Sequence, residues 1–191
     1  DADLPADPAA LAEAVFLPAR DGSLQLEMLG GARRHGAVAT RLPGELTALL
    51  RELAAGRPVV VLQNLGLDWW PQWHYAVAVG YDLAAAELFL RSGTTERQVL
   101  PFRTFEHTWA RAGRWAMLAM PPGTLAATVP EAPALNAALA YERVAVPARA
   151  AQVYGALAAR WPDNLIARLG QGNTLAAAGD KLGAAAAFEA A

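Results

Sequence analysis

The 191-residue chain contains no cysteine. It therefore has no thiol from which to form a disulfide, a thiolate metal site or a cysteine nucleophile. Histidine, the other common metal ligand, occurs only at His35, His74 and His107. These positions are too far apart in sequence to give the close ligand spacing of a metal site. We expect no metal and no other cofactor.

Several other signals are missing from the sequence. Its 16 basic and 18 acidic residues nearly balance, and no stretch is basic enough for a nucleic-acid-binding surface. No apolar run reaches the roughly 20 residues of a membrane span, and no secretory signal is present. A phosphate loop, a dinucleotide fingerprint and a Gly-x-Ser-x-Gly motif are also lacking. The hydrophobic content of 54% nevertheless predicts a folded protein.

The residue patterns divide the chain into two parts. Buried-strand signatures at 59–62, 74–81 and 87–90 alternate with helical patterns, such as a leucine stripe at 46–53. These predict an α+β domain with a mostly antiparallel sheet over residues 1–120. A proline-rich linker follows at 121–133, and residues 134–191 are purely helical.

The helical tail carries marks of a repeat. A Leu-Gly pair ends at Gly170, a Gly-Asp turn follows, and Ala184 and Phe188 are four residues apart; Tyr154 and Pro162 fit the preceding, incomplete unit. This pattern resembles the tetratricopeptide repeat, in which small residues let two helices cross closely and an aromatic ring fills the gap between them. The alternative is an ordinary alanine-rich helical hairpin.

The segment with the strongest chemical signal is Trp-His-Tyr-Ala-Val-Ala-Val-Gly-Tyr-Asp, which begins at Trp73. Together with the apolar strand before it and the return strand after it, this segment resembles the histidine motif of the bacteriocin-processing leader peptidases, which are papain-like cysteine peptidases. In that family a cysteine at the start of a long helix attacks the scissile amide, a histidine takes its proton and an aspartate orients the histidine. The resemblance implies a papain-like fold, with His74 as the catalytic base. The alternative for His74 is a core histidine whose hydrogen bonds are satisfied.

Two features depart from the family pattern. The cysteine is missing, and in the family its helix precedes everything seen here, so we expect the chain to begin just after that helix; a parent protein without the nucleophile is the alternative. The position of the orienting aspartate holds Ser92, whose hydroxyl can accept a hydrogen bond from the His74 ring. Asp82 lies in the hairpin turn, too far along the strand for that role.

The strand that begins at His74 has one face of small side chains, formed by Ala76, Ala78 and Gly80. We expect a helix to pack closely on this face. If the nucleophile helix is the one that belongs there, its absence leaves apolar surface exposed and favours self-association.

Further candidates lie between the two strands. Gln63 and Asn64 end the first strand and are candidates for substrate binding, with loop-capping amides as the alternative. Trp69, Trp70 and Trp73 are candidates for the wall of a peptide groove, with internal packing as the alternative.

Two classes of function follow from these residues. One is a cysteine-peptidase-like protein that hydrolyses peptide bonds when complete but not as given. The other is an inactive peptidase-like module that binds a peptide or protein through the tryptophans or the tail. A third possibility is a structural or interaction module with an unrelated α+β fold. A fully buried His74 with both ring nitrogens bonded to backbone would favour it. The resemblance points to a bacterial, exported or envelope-facing protein.

Overall fold

The structure is a computed structural model that describes residues 7–16 and 22–191. These residues form eight α-helices and six β-strands, so the predicted α+β class is confirmed. The helices are α1 (Pro8–Val15), α2 (Gln25–Arg34), α3 (Leu46–Ala54), α4 (Phe102–Arg111), α5 (Glu131–Glu142), α6 (Pro147–Arg160), α7 (Leu165–Ala177) and α8 (Lys181–Glu189). The strands are β1 (Val38–Arg41), β2 (Val59–Asn64), β3 (Trp73–Asp82), β4 (Glu87–Ser92), β5 (Thr95–Pro101) and β6 (Ala116–Met120).

The strands form one sheet in the order β1-β6-β2-β3-β4-β5. Strand β2 pairs antiparallel with both β6 and β3, and β3, β4 and β5 follow as antiparallel hairpins. In the β3–β4 turn the Asp82 side chain accepts hydrogen bonds from the amides of Ala84 at 2.8 Å and Ala85 at 3.0 Å. The antiparallel sheet is thus confirmed, and Asp82 caps a turn at the far end of β3 from His74.

The register of β2 against β3 decides which side chains share a face. Gln63 lies opposite His74, and Val61 lies opposite Ala76. Directly opposed residues of an antiparallel pair project to the same side of the sheet. This face is closed: Ala76 is 3% exposed and Ala78 is fully buried, whereas Tyr75 on the opposite face is only half-buried.

The small face, on which we expected a helix to pack, is already covered at Ala76 and Ala78 but half-exposed at Gly80. Ala76 and Ala78 are already buried within the chain, β3 contacts α3, and Gln63 on the same face reaches Thr108 of α4. The alternation also ends early, because the register shifts by one residue between Ala78 and Gly80. The apolar surface expected to drive self-association is therefore not open on this face.

The chain divides into two compact units. One comprises Arg41–Leu118 with Ala127–Val129, and the other comprises Ala119–Ala126, Pro130–Ala191 and the described residues up to Thr40. Neither unit is a single stretch of chain. The boundaries expected from sequence at 120 and 133 stay a prediction.

A buried carboxylate holds residues 127–129 in the first of these units. Glu52 of α3 is fully buried, and its Oε1 accepts hydrogen bonds from Thr128 N and Thr128 Oγ1, both at 2.6 Å. Its Oε2 accepts one from Arg57 Nη1 at 2.9 Å. Burial alone raises the pKa of Glu52, but these hydrogen bonds together outweigh it and leave the pKa below its ordinary value.

The tail helices pack through bare backbone. In α7 a methyl group added at Gly170 would lie 2.6 Å from the Tyr154 ring of α6, and one added at Gly172 would overlap the Phe188 ring of α8. Neither glycine tolerates a side chain without movement of an aromatic ring. The predicted close crossing, with Phe188 filling the gap, is therefore seen in the packing of α7 and α8.

Replacement of the buried carboxylate should destabilise the protein in a pH-dependent way. We expect Glu52→Gln to lower the free energy of unfolding at pH 7 by about 2–4 kcal/mol, because it leaves Thr128 and Arg57 without an ionised acceptor. Since the folded-state pKa is depressed, this stabilisation is present above the unfolded pKa and is lost as the pH falls through the folded pKa.

Urea unfolding of wild type and Glu52→Gln from neutral to acidic pH measures this loss. The gap between the two proteins should close as the pH falls. The exposed Glu96 of β5 is the control, and Glu96→Gln should match wild type throughout. A gap that stays constant on acidification would show that the charge of Glu52 does not stabilise the fold.

The sign of a glycine substitution tests the tail packing. Gly→Ala in a helix ordinarily stabilises by up to about 1 kcal/mol, but we expect Gly172→Ala to destabilise by about 1–3 kcal/mol because the new methyl group meets Phe188. Gly155→Ala in α6 is the matched control, since its methyl group meets only the flexible Gln171 amide. Thermal unfolding of both variants, and of Gly172→Ala combined with Phe188→Ala, tests whether the Phe188 ring causes the loss of stability. Equal stabilisation by Gly172→Ala and Gly155→Ala would contradict the contact between Gly172 and Phe188.

Candidate functional site

The candidate site lies where β3 begins and β4 ends. Antiparallel pairing brings these two strand ends together, and Arg91, the neighbour of Ser92, lies opposite Val77 of β3. The side chains of His74 and Ser92 meet there, with 2.7 Å between His74 Nε2 and Ser92 Oγ. Both residues are half-buried, so the pair is partly shielded from water but can still be reached by it. Of the side chains singled out in the sequence, these are the two that the described structure joins by a hydrogen bond.

One ring nitrogen of His74 is hydrogen-bonded within the described part of the chain. Its Nε2 bonds to the Ser92 hydroxyl, and no partner of Nδ1 is found among residues 7–16 and 22–191. A structural histidine bonded at both nitrogens to backbone, the pattern that favours an unrelated module, is not what the structure shows. The arrangement can orient the imidazole through one nitrogen and exchange a proton through the other.

Gln63 and Asn64, predicted as substrate contacts, are buried and bonded within the protein. The Gln63 amide donates to Thr108 Oγ1 of α4 at 2.6 Å. The Asn64 Oδ1 accepts hydrogen bonds from the amides of Gly66 at 3.0 Å and Gln72 at 2.9 Å. The geometry of Asn64 is that of a loop-capping amide. A substrate-binding role for either residue stays a prediction without a contact to support it.

The loop that Asn64 shapes, residues 65–72, is called here the tryptophan loop. Leu65 N donates to Gln72 O at 2.9 Å, and Leu67 and Trp70 exchange two backbone hydrogen bonds at 3.1 Å. A side chain at Gly66 would collide with the Trp70 carbonyl. The loop therefore folds back on itself as a tight, internally bonded hairpin.

Arg111, at the end of α4, anchors the base of this loop, and sequence reasoning missed it. Its guanidinium donates to Asn64 O from Nη2 at 3.0 Å and from Nε at 3.3 Å. The two residues are 47 positions apart, and an arginine at the end of a helix is ordinary. No signal in the sequence connects them.

The tryptophans are exposed rather than packed. Trp69, Trp70 and Trp73 are 78%, 66% and 59% exposed, and the Trp69 and Trp70 rings meet edge to face with centroids 6.4 Å apart. Because successive residues of a strand alternate, Trp73 projects from the sheet face opposite to His74. Trp69 and Trp70 thus form an exposed aromatic surface on the loop leading into β3, and Trp73 does not share a wall with the histidine.

The part of the chain that the structure describes contains no group of three or more acidic or histidine side chains that could hold a metal ion, and no helix in it could span a membrane. No family model, curated protein or solved structure matches the chain. The His74–Ser92 pair and the tryptophan loop are the features of the structure that point to a function.

Proposed function

We propose that the chain is most of a papain-like, leader-peptidase-type cysteine peptidase domain with a tetratricopeptide-type tail, in which His74 occupies the position of the catalytic base. The observation that carries this proposal is the 2.7 Å contact between His74 Nε2 and Ser92 Oγ at the ends of two antiparallel strands. A thiol peptidase needs an imidazole held by one nitrogen and open at the other. As given, the chain has no cysteine and does not perform this chemistry.

Ser92 has the role of the orienting group in this proposal. The Nε2–H of His74 donates to Ser92 Oγ, and Nδ1 is left to take the proton of a nucleophile. A neutral hydroxyl stabilises an imidazolium less than a carboxylate does, because a hydrogen bond to an ionised acceptor is about twice as strong. The thiolate–imidazolium pair should therefore be less favoured here than beside an aspartate.

The tail supports the tetratricopeptide part of the proposal through its packing. Tyr154 and Phe188 each lie against a glycine of α7, so three consecutive helices are locked by ring-on-backbone contacts. This is the use of small and aromatic residues that the repeat pattern predicts.

A second candidate function is peptide or protein binding without catalysis. The exposed Trp69–Trp70 pair on a pre-folded loop favours it. Rigid aromatic side chains bind with little loss of conformational entropy, and large exposed apolar groups on a folded protein mark interaction surfaces. This function requires no cysteine.

A thiol-labelling experiment separates the two candidates. The protein produced from its complete gene is treated with iodoacetamide and examined by intact mass and peptide mapping. Under the peptidase proposal we expect one reactive thiol whose alkylation at neutral pH slows about 10–100-fold in His74→Ala, because a paired imidazole raises the thiolate fraction. His107→Ala, at an exposed position of α4, is the control. Absence of a histidine-dependent thiol would rule out the peptidase and leave the binding function.

The binding function is tested on the tryptophan loop. We expect extended apolar peptides to change the tryptophan fluorescence of the present chain, and the double variant Trp69→Ala, Trp70→Ala to weaken their affinity about 10-fold or more, since buried aromatic anchors dominate interface energetics. Trp161→Phe, in the tail, is the control. Unchanged affinity in the double variant, measured by calorimetry, would exclude the loop as the binding surface.

A further inference from the structure

We propose that Ser92 is itself a nucleophile in this chain, activated by His74, and that the pair transfers acyl groups from small activated esters to water. This activity is distinct from the thiol chemistry proposed above, in which Ser92 only orients the histidine. It depends neither on a cysteine nor on peptide binding by the tryptophan loop.

The geometry of the pair fits a hydroxyl that donates to its base. The 2.7 Å separation of Ser92 Oγ and His74 Nε2 lies within the range in which an activated serine meets its histidine. Within the described ranges, 7–16 and 22–191, the Ser92 hydroxyl has no second hydrogen-bond partner. When the imidazole carries its proton on Nδ1, the Ser92 hydroxyl proton is directed at Nε2.

The surroundings of Ser92 leave room for an acyl group. Ser92 is the last residue of β4 and lies opposite Thr95, so Gly93 and Thr94 form a two-residue turn. Gly93 has a φ of +57°, and a methyl group added to it would meet nothing within 4 Å. Ser92 is half-buried and therefore partly accessible beside this open turn. The Gly93 amide directly follows the nucleophile, which is where acyl-transfer sites often place an oxyanion donor.

The reaction balances with water as the only co-substrate. Ser92 Oγ attacks the ester carbonyl carbon while its proton passes to His74 Nε2. The carbon–oxygen bond to the leaving group then breaks, and the leaving oxygen takes the proton from Nε2. His74 next takes a proton from a water molecule, whose oxygen attacks the carbonyl carbon of the acyl-serine. The bond to Ser92 Oγ then breaks, the carboxylic acid is released, and His74 returns the proton to Ser92 Oγ.

The pair restricts the substrate class to esters with good leaving groups. No carboxylate is seen bonded to the His74 ring in the described residues, so the imidazolium that forms during attack is stabilised only by its surroundings. A phenolate departs without much assistance, whereas an amide nitrogen needs a strong proton donor. We therefore expect phenyl esters and fluorophosphonates to react, and peptides not to.

The test uses the present chain, in which Ser23 and Ser92 are the only serines. A fluorophosphonate should add one label, assigned to Ser92 by peptide mapping. Ser92→Ala should abolish the label, and Ser23→Ala should retain it. His74→Ala should slow labelling about 100-fold or more, the usual contribution of a positioned base, whereas His107→Ala should not.

A second variant covers the case in which Ser92→Ala does not fold. Ser92→Cys introduces the only thiol of the chain, and its alkylation by iodoacetamide should slow when His74→Ala is added. Labelling of another residue, or rates at Ser92 that do not depend on His74 in folded protein, would overturn the nucleophile. Neither result would bear on whether the complete gene product has a reactive cysteine, or on whether the tryptophan loop binds peptides. The Ser92 nucleophile and the function proposed above can therefore fail independently.

Discussion

The pairing of β2 with β3 determines where each candidate residue lies. Their register sets Gln63 opposite His74 and places both on the closed face of the sheet. A slip of one residue would turn His74 to the other face, away from Thr108 of α4, and would bring Trp73 inward. On this face Val59 and Val61 lie buried beside Ala76 and Ala78. The core opposes the slip because the slip would exchange these buried apolar side chains for half-exposed ones. The core thus sets which face of the sheet His74 occupies, and the contact with Ser92 orients its ring there.

The same register supports the tryptophan loop. Asn64 is the last residue of β2. Its side chain accepts hydrogen bonds from two loop amides, and its carbonyl accepts one from Arg111 Nη2 of α4. Burying the Asn64 side-chain amide without hydrogen-bond partners would cost about 1–3 kcal/mol of folding free energy, so these hydrogen bonds also stabilise the end of β2. Exposed tryptophans on a loop fixed in this way present an apolar surface at little entropic cost. The loop and the histidine therefore depend on one strand pair.

Local patterns in the sequence predicted much of this arrangement. The alternation after Trp73, the leucine stripe at 46–53 and the Gly-Asp turn in the tail each reflect the conformation of a few neighbouring residues, and the corresponding elements are present. Contacts between distant residues were harder to predict. The bonds from Arg111 to Asn64, from Thr128 to Glu52 and from Gln63 to Thr108 all join positions that no short pattern connects. The shift between Ala78 and Gly80 was missed because regular alternation continues through it in the sequence.

In the proposed peptidase function, Ser92 takes the place of an orienting aspartate. This difference affects both proposed chemistries. An aspartate beside His74 is an acceptor only, so it would fix the proton of the imidazole on Nε2 and leave Nδ1 as the base. A serine hydroxyl can donate or accept, and the 2.7 Å contact between Ser92 Oγ and His74 Nε2 is compatible with either tautomer. With the proton on Nε2, His74 is prepared for an external thiol; with the proton on Nδ1, it is prepared to activate Ser92 itself. The two roles exclude each other at any instant, and a negative group or hydrogen-bond acceptor brought near Nδ1 would shift the balance towards the serine.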